Sequence, residues 1–152
     1  MTKLEKSFSI YAYLHSDTAE KMIKAGKLTK NEQYDPPVNV ISSLQYLHNN
    51  ITLKALNSLP GDLYVDSGFR CDKLNTALKG SNTSQHMKGE AADITSTDNA
   101  ELFRLIRDNF TFDQLIWEDG DDSAPAWIHV SYKKHGNRKE VLKMRNGKYF
   151  KM

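Results

Sequence analysis

A single cysteine, Cys71, among 152 residues rules out an internal disulfide and a thiolate metal cluster. Its place near an expected helix start suits a small packing residue. Long apolar runs are also missing, since no stretch approaches the ~20 residues that a membrane-crossing helix needs. Residues 1–9 are polar and charged and lack the apolar segment and small-residue cleavage site of a secretory signal. A soluble protein made in the cytoplasm without a signal peptide is expected, and a substrate outside the cytoplasm would require another route of release. Net charge is small, at +2, but it is unevenly spread. From residue 133 onward, Lys133, Lys134, Arg138, Lys139, Lys143, Arg145, Lys148 and Lys151 face the lone acid Glu140. Such a patch suits attraction to nucleic acid or anionic cell-wall polymer, or a solvated terminal hairpin. No pattern of interleaved aromatic and basic residues accompanies it, which argues against nucleic acid and favours the hairpin.

What is present fits one ordinary α+β domain over residues 1–152, with 39% hydrophobic and 26% charged residues and no internal repeat. Residues 8–14 are short and partly aromatic. Ser16 or Asp17 can cap a helix that runs through Glu20, Met22 and Ile23 to Gly26. Residues 27–35 lack apolar periodicity and read as a loop, closed by Pro36-Pro37. From Val38, the spacing of Ile41, Leu44, Leu47, Ile51, Leu53, Leu56 and Leu59 predicts a long amphipathic helix that ends at Pro60-Gly61. Residues 63–67 read as a strand, and residues 70–78 as a helix capped by Gly80. Residues 91–95 form a small-residue strand, and Thr97 or Asp98 caps the helix carrying Leu102, Leu105 and Ile106. Residues 112–118 and 127–132 are strands joined by an acidic loop, and residues 141–144 and 149–151 pair through Asn146-Gly147. This mixture of short turns and helical crossings indicates a mainly antiparallel sheet flanked by helices.

Chemistry concentrates in residues 84–93, where His86 and Asp93, with six residues between them, flank a turn at Gly89. Alternation in residues 127–132 puts Trp127, His129 and Ser131 on one face and Ile128, Val130 and Tyr132 on the other. With the apolar set in the core, His129 is delivered to a surface beside an aromatic wall. A catalytic zinc keeps three nitrogen or oxygen ligands and leaves one position for water, and His86, Asp93 and His129 suit that set. The spacing alone is common, and a lone strand histidine is more often structural.

Several motifs in series resemble the D-alanyl-D-alanine carboxypeptidase family of zinc peptidases, with the hedgehog/DD-peptidase fold. They are Ser67-Gly68-Phe69-Arg70, Leu74-Asn75, Gly80-Ser81, residues 84–94, residues 114–118 and residues 127–132. The N-terminal Ser16-Asp17-Thr18-Ala19 and Pro36-Pro37 are similar to its short phage and prophage members. The resemblance implies that His86, Asp93 and His129 bind Zn²⁺ and that Arg70 binds a substrate carboxylate or polarises the scissile carbonyl. It further implies hydrolysis of peptidoglycan stem peptides by a carboxypeptidase or endolysin-like enzyme, acting on the cell wall after lysis-type release. A glutamate is expected three residues before the last histidine, but Ala126 occupies that position. Glu118 is the expected general base, with Glu90 and Asp119 in reserve, although alternation would turn Glu90 away from Asp93. Ser84, Gln85 and Trp127 are expected around the ligands or substrate. A monomer is expected, and a non-catalytic cell-wall-binding or phage structural module is the alternative that Ala126 motivates.

Overall fold

A computed structural model describes residues 1–152. In chain order its elements begin with β1 (Thr2–Lys3), α1 (Ile10–Leu14), α2 (Asp17–Lys24), α3 (Lys30–Tyr34) and α4 (Val38–Leu47). A π-helical turn (His48–Thr52), α5 (Leu53–Ser58), β2 (Leu63–Ser67), α6 (Asp72–Ala77) and a 3-10 turn (Gln85–Lys88) follow. The chain then continues through β3 (Ala91–Ser96), α7 (Asn99–Asn109), β4 (Gln114–Glu118), β5 (Trp127–Ser131), β6 (Glu140–Arg145) and β7 (Lys148–Lys151). The seven strands form an α+β sheet in the order β1-β2-β3-β5-β4-β6-β7, antiparallel except where β6 runs parallel beside β4.

Helical periodicity from Val38 produces the central packing element. Val40, Leu44, Leu47, Ile51 and Ala55 are all buried and join the main core cluster. The π turn interrupts the helix where its buried side becomes polar. There His48 Nδ1 lies 2.8 Å from the Tyr13 hydroxyl, and the Thr52 hydroxyl lies 2.6 Å from it. Buried polar groups that satisfy one another avoid the desolvation cost of an orphaned group. Leu102, Phe103 and Ile106 of α7 meet Ile94, Leu115, Trp117, Ile128 and Val130 of the sheet in the same core. Burying each large apolar side chain contributes about 1.5–3 kcal/mol. This core occupies one face of the central strands and leaves the opposite face free to form a cleft.

Several expectations need correction. Residues 27–35 are not a plain loop: α3 forms there, with a reciprocal Thr29–Glu32 capping box at its start. It is held by Gln33, whose buried amide donates to the carbonyls of Leu14 and Phe69 and accepts from Cys71 N. At the end of α6 the left-handed residue is Lys79 (φ 59°), not Gly80. Gly80 is small for a different reason, since a Cβ there would lie 2.0 Å from Asn75 Oδ1. The basic C-terminal segment is not simply a solvated hairpin. It turns at Asn146-Gly147 as expected, but β6 is half-buried and extends the sheet beside β4. No helix is long and apolar enough to cross a membrane.

Candidate metal centre and active-site cleft

Strand register builds the centre. Asp93 of β3 is the cross-strand partner of His129 on β5, and His129 in turn partners Ile116 on β4. Partners in register share a face, so the alternation that buries Ile128 and Val130 turns Asp93 and His129 together into the cleft. His86 arrives from the 3-10 turn. The Ser84 hydroxyl accepts from His86 N at 3.2 Å, and Gly89 ends the turn at φ 71°. A Cβ on Gly89 would come 2.6 Å from the Val40 carbonyl oxygen, so that position needs glycine for space as well as conformation.

His86 Nδ1 donates to the Gly68 carbonyl at 2.8 Å, which fixes the ring and leaves Nε2 free to bind a metal. That Nε2 lies 3.4 Å from Asp93 Oδ1, and His129 Nδ1 lies 3.1 Å from the same oxygen. Tetrahedral zinc ligands at their usual bond lengths sit roughly 3.3 Å apart, so both spacings suit a shared metal. All three ligand atoms fall within 4.8 Å of one another. Two imidazoles and a carboxylate, with no fourth protein ligand, are also the donor set of an open catalytic zinc site. Burial pushes the Asp93 carboxyl up, but the adjacent imidazoles outweigh burial and hold it well below the usual carboxylate range.

Gly68 therefore has two functions: its carbonyl orients His86, and its missing side chain allows close backbone contact. A Cβ there would lie 2.3 Å from Tyr13 O, so Gly68→Ala must displace α1 or the His86 support. A destabilisation of about 1–3 kcal/mol is expected, in line with overpacking elsewhere. A lower melting temperature accompanied by weaker zinc retention is the measurement that checks it.

The cleft encloses about 740 Å³. Glu118 lines it from the cross-strand partner position of Trp127 and is 6% exposed. Burial first, and then the negative charge of Asp93, push the Glu118 carboxyl up to about 7. Arg70 is brought to Asp93: its Nε donates to Ser67 Oγ at 3.0 Å and its Nη2 to Asp93 Oδ2 at 3.3 Å. Ser84, Gln85 and Trp127 also line the cleft. Ser84 supports the His86 turn, while the Gln85 amide turns to Asp113, with Nε2 donating to Oδ2 at 3.1 Å. Glu90 lines the cleft as well, contrary to expectation, because β3 starts only at Ala91 and strand alternation does not govern the residue before it. Asp119 adopts φ 48° after β4 and is not among the cleft residues, nor is Ala126.

Asp113 belongs to no motif in the sequence, yet it lines the cleft. Its buried carboxylate accepts from Arg138 N, Nε and Nη2 at 3.0, 3.1 and 2.8 Å, in addition to Gln85. This clamp ties the C-terminal segment to the residue preceding His86. The available sequence signal was a carboxylate set between Phe112 and the apolar strand, but its partner lies 25 positions away. Arg138→Ala is expected to lower stability by about 1–3 kcal/mol, the cost of leaving part of a buried carboxylate unpaired. Chemical denaturation will measure it.

A family profile described as Peptidase M15 matches residues 38–131, more than half of the chain. The matched region begins with α4 and ends with β5, so it contains His86, Asp93, His129, Arg70 and Glu118. No curated protein matches the chain.

Proposed function

The chain belongs to the peptidase M15 family, and from that premise we propose a zinc metallopeptidase that hydrolyses a peptide bond in bacterial peptidoglycan stem peptides. The reading places one hedgehog/DD-peptidase-like unit over residues 1–152, acting as a monomer. The observation that carries it is the convergence of His86, Asp93 and His129 beside the buried Glu118 in one cleft. His86 Nε2, His129 Nδ1 and Asp93 would hold the metal. When bound, zinc supplies a Lewis acid that acidifies water and polarises a carbonyl.

Glu118 accepts a proton from the attacking water and returns it to the leaving amine. Its raised pKa suits both halves of that task near neutral pH. Arg70 keeps Asp93 oriented through Nη2 and offers Nη1 to a carboxylate of the substrate. Ser84 and Gln85 hold the His86 turn, and Trp127 forms a wall for the peptide. The exposed basic positions on the C-terminal hairpin provide attraction to anionic wall polymer.

A phage or prophage lytic enzyme that reaches the wall after lysis-type release fits this reading. The test is incubation of the zinc-loaded protein with synthetic stem peptides, followed by detection of a new amine and carboxylate. Terminally blocked and free peptides separate an endopeptidase from a carboxypeptidase. The second reading, a non-catalytic wall-binding or phage structural module, rests on Ala126 and is favoured by stoichiometric zinc without any peptide release.

A further inference from the structure

Residues 132–152 lie beyond the matched family region, yet they build one side of the cleft. The parallel pairing of β6 with β4 sets Met144 beside Glu118, and the hairpin sets Tyr149 beside Met144. Trp127, Glu118, Met144 and Tyr149 therefore form one row across four adjacent strands. Partners in a row share a face, and Tyr149 borders the cleft together with Trp127, Glu118 and His129.

Lys79, Lys88 and Lys133 also line the cleft, but the two arginines there already hold carboxylates. Arg70 is bonded to Ser67 and Asp93, and Arg138 to Asp113. Tyr149 is 60% exposed, so an incoming ligand can reach it. An ordinary phenol, with a pKa of about 10, is protonated and able to donate at neutral pH, and burial, then the charges of Glu118 and Asp93, raise the Tyr149 value.

We propose that Tyr149 is a catalytic residue whose phenol O–H donates a hydrogen bond to the scissile carbonyl oxygen as that oxygen gains negative charge. This rests on the peptidase reading above. As the water oxygen bonds to the carbonyl carbon, the C=O π pair moves onto oxygen. The phenol proton remains on Tyr149. When the C–N bond breaks, its electron pair goes to nitrogen, which takes the proton that Glu118 received from water. The pair held on oxygen re-forms the C=O bond as nitrogen leaves, and the second water proton passes from the new carboxylic acid to the amine, so the products are a carboxylate and an ammonium group.

Tyr149→Phe keeps the ring and removes only the donor. Loss of one donor to a developing oxyanion lowers kcat by about 10²–10³-fold, so a fall of about 10²-fold is expected, with KM changed by less than about twofold. Zinc content should match the wild type. Two uncleavable ligands separate this role from a structural one: a reduced-amide peptide, and a phosphinic peptide whose anionic tetrahedral group mimics the attacked carbonyl. The variant should bind the first normally and the second at least about tenfold more weakly. Equal affinity of both proteins for the phosphinic peptide overturns the assignment of Tyr149, whatever the cleavage assay gives. A wild type that binds the phosphinic peptide more tightly than the variant does, yet cuts no stem peptide, counts against the peptidase reading alone. A wild type that binds neither ligand overturns both.

Discussion

Glu118→Gln is expected to retain the wild-type zinc content and to lose about 10²–10⁴-fold in kcat, the usual contribution of a positioned proton-transfer group. The amide preserves the shape of the side chain on β4 but can neither accept nor return the proton. Because the folded glutamate is raised to about 7, the wild-type rate should rise as pH increases through that region and the carboxylate forms. A bound dication pulls the value downward, so the rising limb should lie at or below about 7. It should be absent from the residual activity of the variant.

The same shift has a thermodynamic consequence. The folded pKa lies above the unfolded carboxylate value of about 4.3, so between those values the folded chain binds more protons than the unfolded one. Glu118 therefore costs stability progressively as pH rises through about 7. The metal-free Glu118→Gln protein should melt at a higher temperature than metal-free wild type at pH 8, with the difference vanishing toward pH 4. Full activity in the variant would show that another group accepts the proton.

Asp93→Asn is expected to have the second large effect, this time on the metal. Asp93 Oδ1 stands between the two imidazoles and Oδ2 binds Arg70, so one carboxylate serves both the centre and its support. The amide removes the negative charge while preserving size. Zinc affinity should fall by at least about 100-fold, beyond the loss typical of a supporting group alone. Arg70 is then left nearly buried without its carboxylate. Breaking such a pair from one side should lower the stability of the metal-free protein by roughly 3 kcal/mol. Metal titration and denaturant unfolding measure the two losses separately. Unchanged zinc affinity would remove Asp93 from the ligand set.

Much of this site was readable because it lies on strands. Apolar alternation at Ile128 and Val130 forces His129 to the opposite face, and β2 occupies the residues its pattern indicates, Leu63–Ser67. The long helix followed from the repeat of Leu44, Leu47 and Ile51, although periodicity carried no sign of the π turn needed by His48 and Thr52. The helix α3 is not legible in the sequence because its anchor is Gln33, a polar residue buried through three hydrogen bonds, whereas helical periodicity detects apolar faces. Strand alternation does not extend to Glu90, because β3 begins only at Ala91.

The C-terminal segment hides its role for a related reason. Counting its charges gave no indication that Arg138 finds a buried partner in Asp113, or that β6 lies parallel to β4. That long-range pairing is what brings Tyr149 to the cleft. Local sequence brings out the three candidate ligands, His86, Asp93 and His129, which the structure sets together, but not the far wall of the cleft.

The most direct measurement is mass spectrometry of peptidoglycan fragments after incubation with protein carrying about one zinc per chain, the occupancy a single three-ligand centre implies. The expected result is a pair of products whose masses sum to that of a stem-peptide substrate plus one water, absent after chelation and restored by added zinc. Unchanged fragments in the presence of the fully zinc-loaded protein would contradict a catalytic centre at His86, Asp93, His129 and Glu118.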